Sequence, residues 1–236
     1  MIQQRFSFSE FARPLFSDRV AMAWADPTAP MPRLIGDEVL AVEQVRPVRA
    51  REFGAGRAAA REAMGLLGHP PRPVLQGEDR APVWPRGLTG SISHTARDCM
   101  AVVTDAPEIR ALGLDIEMAA ALEPALWPEI CTMAEMRWLA SLGPSQRGHF
   151  AKLVFSAKEA VYKAQYTVSR QMLGFQDLTL TVDLPQHRFT AELTTEVAGF
   201  APGAVLQGRF AILGAVFITA VEISADDPAL SGGSNS

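Results

Sequence analysis

Apolar residues recur at helical spacing in four stretches of the chain and in short alternating or unbroken runs in seven others. Val39, Leu40, Val42 and Val45 predict a helix over 36–46 that Pro47 stops, and Phe53, Ala60, Met64 and Leu67 predict a second over 49–67, with Gly68 at its C-terminal cap. Two further helices are predicted over 128–142 and 149–168. Short strands are expected at 90–94, 99–104, 112–116, 178–182, 189–193, 207–213 and 216–223, where β-branched and alternating apolar residues gather. Between the second helix and the first strand, Pro70, Pro71, Pro73, Pro82 and Pro85 predict an extended, turn-rich loop over 68–90. Residues 1–35 predict no firm element, and 224–236 read as a disordered tail.

Helices followed by strands, twice over, make the expected class α+β, with a pseudo-twofold duplication of two halves that each pack helices on a small antiparallel sheet. The halves are expected at 1–118 and 119–223. The stretch AVFITAVEI near the end also echoes ALGLDIE near the middle.

Length and composition narrow the class. A chain of 236 residues with 48% hydrophobic and 20% charged residues can bury a normal core, which excludes whole-chain disorder. A net charge of −4 argues against a nucleic-acid binder that works by phosphate neutralisation, so any basic patch must be local. Cys99 and Cys131 are far apart and in no CxxC pair, which predicts two buried thiols rather than a disulfide or zinc framework. The first residues lack a clean signal-peptide core, and the apolar run 210–221 is well short of the roughly 20 residues needed to span a bilayer. A cytoplasmic, monomeric protein is the expectation.

Chemistry concentrates in a few places. In Gly113-Leu114-Asp115-Ile116-Glu117 the period of two puts both carboxylates on one strand face, a pairing that suits Mg²⁺ or, more plainly, an exposed strand. Lys152, Ser156, Glu159 and Lys163 step by four, three and four along a largely apolar helix and so form one polar stripe. The only lysines of the chain are Lys152, Lys158 and Lys163; every other basic residue is arginine. Glu159 could add a third carboxylate, with Lys158 and Lys163 facing phosphate oxygens, although Glu159 and Lys163 are also an ordinary i,i+4 pair. Arg46, Arg49, Arg51, Arg57 and Arg61 crowd one helix around Gly54 and Gly56, which would let an anion approach the backbone; a solvated charge run is the alternative. His94 ends a strand, on the opposite face from Ser93, as a structural imidazole or a phosphate donor.

Taken in order, Phe53-Gly54-Ala55-Gly56-Arg57, Pro82-Val83-Trp84-Pro85, Gly90-Ser91-Ile92-Ser93-His94, Gly113-Leu114-Asp115-Ile116-Glu117 and Phe155-Ser156-Ala157-Lys158-Glu159-Ala160-Val161-Tyr162-Lys163 resemble the 4′-phosphopantetheinyl transferases of the surfactin and enterobactin type. The likeness covers residues 45–175. It implies a cleft between the halves that takes coenzyme A and Mg²⁺, with Asp115, Glu117 and Glu159 as metal ligands. It further implies Arg49 and Arg57 on the 3′-phosphate of coenzyme A, Ser93 and His94 at a phosphate, Lys158 and Lys163 beside the diphosphate, and Glu159, Lys163 and Asp115 as the catalytic set. The partner implied is an apo acyl or peptidyl carrier protein of fatty-acid, siderophore or other secondary-metabolite assembly, modified at a serine with release of 3′,5′-ADP. Arg137 and Arg147 are the candidate steering charges toward it. One departure stands out: Gln76 follows Val74-Leu75 where many relatives carry a lysine. The competing expectations are a non-catalytic coenzyme A or carrier-binding module, and a Ser/His/Asp hydrolase built on His94 and Asp115, for which no G-x-S-x-G elbow exists.

Overall fold

The second predicted helix forms as α1 (Pro47–Leu66) in a computed structural model that describes residues 10–231. Pro47, expected to stop the preceding helix, instead opens this one, because a first-turn residue needs no N–H partner and its φ is already helical. Of the expected 36–46 helix only Gly36–Val42 forms, as a 3₁₀ segment. The buried face of α1 carries Phe53, Gly54, Ala55, Gly56, Arg57, Ala59, Ala60, Ala63 and Met64, wider than a single stripe because burial is continuous over 53–57.

That face lies on a three-stranded antiparallel sheet. After β1 (Ala21–Ala25), which the Pro-punctuated lead-in did not predict, come a two-residue ladder of β2 (Leu75–Gln76) with β3 (Pro82–Val83), then β4 (Thr89–His94) and β5 (Cys99–Thr104). The sheet order is β1-β5-β4. Ala23, Ala25, Ala55, Ala59, Ala60, Ala63, Cys99, Ala101 and Val103 make its core, and such small side chains bring helix and sheet close together. A Cβ on Gly56 would stand 3.0 Å from Ile92 Cγ2, and one on Gly54 3.2 Å from Met31, so these glycines admit protein neighbours, not the ligand expected there.

The second unit, Glu108–Ser236, starts with β6 (Ile109–Met118) and continues through a one-turn helix Trp127–Ile130 to α2 (Met133–Ser141) and α3 (Pro144–Ser169). A single helix over 128–142 does not form. Thr132 caps α2 instead, its hydroxyl accepting from Glu135 N while Glu135 Oε2 accepts from Thr132 N at 2.6 Å. The chain then runs β7 (Leu178–Asp183), β8 (Arg188–Leu193), β9 (Val205–Leu213) and β10 (Val216–Ser224) as a meander, and β10 closes against β6 to give the order β6-β10-β9-β8-β7.

This closure corrects two expectations. Asp115 pairs with Thr219 and Ile116 with Ile218, so the strand expected to end the first half belongs to the second unit, and the division falls at 107/108 rather than 118. ALGLDIE and AVFITAVEI are therefore neighbours in one sheet, and their likeness says nothing about a duplication. The segment after β10 is not a free tail either, as far as it is described: Ala229 is buried, and Ala201 N donates to Ala229 O at 2.8 Å. Residues 232–236 lie outside the described residues. Cys99 and Cys131 are both buried thiols, as expected. Among the described residues no helix is long and apolar enough to cross a membrane.

Candidate active site

The spacing of GLDIE is matched to the helix above it. Two residues of a strand rise about 6.6 Å and four of a helix about 6 Å, so alternate strand residues can stay level with every fourth helical one. Along β6 and the antiparallel α3, Glu117 meets Lys152 (3.3 Å), Asp115 meets Ser156 (2.9 Å) and Gly113 meets Ala160. Gly113 makes the approach possible: a Cβ there would sit 1.9 Å from Ala160 O, with no flexible atom to move aside. Gly113→Ala is therefore expected to force the helix off the strand, lowering stability by about 1–3 kcal/mol in thermal or urea unfolding and reducing activity with it; an unchanged unfolding midpoint would refute this close approach.

Asp115 is held at both oxygens. Lys163 Nζ donates to Oδ1 at 2.6 Å and to Leu114 O at 3.0 Å, while Ser156 Oγ donates to Oδ2. Thr219, the cross-strand partner of Asp115, donates its hydroxyl to Ser156 O at 2.9 Å and buttresses that serine. Thr219 is a supporting residue that the sequence reading did not single out; only its place in the strand facing Asp115 marks it.

Glu159 completes the group differently. Among the described residues it accepts no hydrogen bond and forms no ion pair, and burial, with Asp115 and Glu117 adding to it, raises its pKa against the opposing pull of Lys163. Burial and Asp115 likewise raise Glu117, with Lys152 opposing. Two carboxylates whose proton affinity is raised by burial and by the neighbouring acids, beside a third, Asp115, are the donor chemistry a hard divalent cation satisfies. Among the described residues no three acidic, histidine or cysteine side chains already converge as a finished ligand cage; lysines stand on two of the three carboxylates.

Lys158 is not part of this group, contrary to the sequence expectation. One residue along from 159 turns the side chain by about 100°, away from β6. Its ammonium is fully buried and donates to Ile130 O (2.8 Å), Phe175 O (2.6 Å) and Leu178 O (3.1 Å), with Glu135 Oε2 at 2.9 Å. Burial lowers its pKa and Glu135 opposes the shift. Glu135 in turn accepts from Leu180 N at 2.7 Å, and the same burial pushes the Cys131 thiol up to about 11. This buried pair ties α3 to the start of α2 and to β7, and no donor is left to face a phosphate.

In the first unit the crowded arginines separate into three jobs. Arg49 Nη1 lies 2.7 Å from His94 Nε2 and 3.3 Å from Glu52, so the two residues expected at a phosphate do come together, at the exposed end of β4. Ser93, expected with them, is buried on the other face of the strand. Arg57 is buried, stacks 4.0 Å above Phe53, and donates from Nε to Val74 O (2.8 Å) and from Nη2 to Leu75 O (3.1 Å); burial lowers its pKa to about 10, leaving it charged at neutral pH. Arg61 pairs with the fully buried Glu38 at 2.7 Å. Gln76 donates weakly to Arg80 O at 3.4 Å. Arg147 is spent on the end of α2, donating to Leu142 O and Ala140 O, whereas Arg137 is exposed.

Known proteins resemble both units. Residues 37–104 match the 4′-phosphopantetheinyl transferase N-terminal domain, and residues 111–210 match the 4′-phosphopantetheinyl transferase superfamily, with the gap between them at the unit boundary. The chain is 36% identical over 184 residues to the 4′-phosphopantetheinyl transferase Svp of Streptomyces mobaraensis, covering 78% of this chain and 72% of that one. It is 31% identical over 179 residues to PptT of Mycobacterium tuberculosis, covering 73% and 78%. Against enterobactin synthase component D of Escherichia coli the identity is 40% over 118 residues, covering 49% and 54%.

Proposed function

The chain belongs to the 4′-phosphopantetheinyl transferase superfamily and is an enzyme that transfers phosphopantetheine to carrier proteins; we propose that it takes the arm from coenzyme A with Mg²⁺ and places it on a carrier serine, releasing 3′,5′-ADP. The reading assigns the diphosphate and the metal to the second unit and the 3′-phosphate of coenzyme A to the first. A pseudo-twofold relation between the units belongs to the same reading, supported by the helix-on-antiparallel-sheet plan that each repeats.

Asp115, Glu117 and Glu159 would hold the Mg²⁺, and the donor set supports this because, among the described residues, Glu159 accepts no hydrogen bond and forms no ion pair. When bound, the metal supplies positive charge against the diphosphate oxygens. Lys163 fixes Asp115 and adds charge on the same side, and Ser156 and Thr219 hold the carboxylate's other oxygen in place. Glu159 accepts the proton of the attacking serine hydroxyl, and burial raises its proton affinity. Arg49, His94 and Arg57 bind the coenzyme's 3′-phosphate, Arg49 and His94 from the exposed end of β4 and Arg57 from beneath the 74–75 segment. The hydrolase alternative finds no support around Asp115, whose two oxygens are engaged by Lys163 and Ser156.

The observation that carries this reading is a Glu159 that takes no hydrogen bond or ion pair among the described residues, next to an Asp115 clamped at both oxygens. Incubating the protein with coenzyme A, Mg²⁺ and a panel of apo carriers is expected to add the mass of one phosphopantetheine arm to a carrier serine and to release 3′,5′-ADP, with EDTA abolishing both. Transfer that is indifferent to EDTA would overturn the metal assignment, and no mass change on any carrier would overturn the reaction.

A further inference from the structure

Glu38 is a carboxylate engaged at both oxygens, and the reaction does not use it. It is fully buried in the 3₁₀ segment, where an acidic side chain has to be justified by its partners. Oε1 accepts from Val74 N at 2.9 Å and from Arg61 Nη1 at 2.8 Å; Oε2 accepts from Ile35 N at 3.0 Å and from Arg61 Nη1 at 2.7 Å. Arg61 also donates to Arg33 O at 2.9 Å.

Val74 is the link that matters. Its N–H goes to Glu38, and its carbonyl receives the Nε of Arg57, so one residue is gripped from both ends by a carboxylate and a guanidinium. The segment concerned lies in the Pro-rich loop: the Val74 side chain is buried in the core of the first unit, and the ladder that follows it, Leu75–Gln76 with Pro82–Val83, is two residues long. The Arg57 guanidinium, which also donates to Leu75 O and lies over Phe53, thus takes one of its anchors from a residue that Glu38 helps to hold. The negative charge of Glu38 also raises the pKa of Arg57 against its burial, which favours the charged form that an anion needs.

We propose that Glu38 is a positioning residue for coenzyme A: through the Val74 backbone it aims Arg57 at the 3′-phosphate and so sets the preference for coenzyme A over its 3′-dephospho form. This rests on the assignment of Arg57 to that phosphate. Glu38 touches no substrate atom. Its loss should therefore be felt in the recognition of one phosphate group and not in the chemical step.

The experiment compares calorimetric affinities of the chain for coenzyme A and 3′-dephospho-coenzyme A, in wild type and Glu38→Gln, alongside kcat and KM on an apo carrier. Glu38→Gln is expected to weaken coenzyme A about tenfold while leaving the dephospho form nearly as before, with kcat at saturating coenzyme A little changed. A variant that loses affinity for both ligands equally, or keeps the wild-type ratio, overturns the proposal and leaves Glu38 a purely structural residue. A wild type that does not distinguish the two ligands instead sinks the phosphate assignment of Arg57 beneath it. Should Glu38→Gln fail to fold, Val74→Pro removes the same hydrogen bond from the other end while keeping the Glu38–Arg61 pair, and the same collapse of the ratio is expected. In the wild type, coenzyme A should slow amide exchange at Val74 more than the dephospho form does; equal protection by both would count against the link.

Discussion

Glu159→Gln is expected to lower kcat by roughly 10²–10⁴-fold while leaving coenzyme A affinity nearly intact. The substitution keeps the size of the side chain and removes both its negative charge and its basicity. Glu159 stands beside two other carboxylates, takes no hydrogen bond or ion pair among the described residues, and has its pKa raised by burial. A group in that state is poised to accept a proton or a cation, whereas an amide is no base at neutral pH and offers a cation only a neutral carbonyl oxygen. Arg57→Ala should show the opposite profile, weakening coenzyme A by roughly 10-fold to 100-fold through loss of a charge-assisted contact and of the Val74 and Leu75 anchors, with a smaller effect on kcat. Steady-state kinetics with calorimetry on both variants separates the two. Small and equal effects would remove Glu159 from the chemistry and Arg57 from the phosphate.

Lys158→Met should cost stability rather than chemistry, by about 3–5 kcal/mol, because it leaves Glu135 buried without its cation and strips a donor from three main-chain carbonyls. In a chain of this size that is a fall of roughly 6–20 °C in the thermal midpoint. Adding Glu135→Gln should recover part of the loss, since the uncompensated charge is then gone, although the carboxylate's bonds to Thr132 N and Leu180 N weaken in the exchange. If Lys158→Met instead unfolds like the wild type but loses affinity for coenzyme A, the lysine faces the ligand after all, and its placement among the carbonyls is wrong.

The contrast between Lys158 and Lys163 shows where the sequence stops. Helical spacing along α3 is enough to put Lys152, Ser156, Glu159 and Lys163 on one stripe and to set Asp115 and Glu117 on one strand face, because these follow from the periods of 3.6 and 2 alone. The family resemblance, the α+β class and most element positions are legible for the same reason: they depend on local pattern and on short ordered motifs. Residues joined by contacts between elements distant in the sequence are not legible this way. Nothing local to Lys158 announces Glu135, twenty-three positions earlier, as its partner, although the Thr132–Glu135 capping box itself could have been read and would have split the 128–142 helix.

The sequence by itself determined which residues are available for chemistry: three carboxylates and a lysine at compatible periods, an arginine-rich helix, and a histidine at a strand end. Tertiary structure alone decided which of them meet. The β6–β10 pairing moved the acidic strand out of the first unit and supplied Thr219, and the missing side chain of Gly113 let α3 come down upon it. Burial then separated the arginines and lysines by use, since a charged group out of water is retained only where carboxylates or carbonyls receive it. Arg61 found Glu38, Lys158 found Glu135, and Arg57 found the backbone of Val74 and Leu75. Those partners lie 17 to 23 residues away, beyond the reach of any local period.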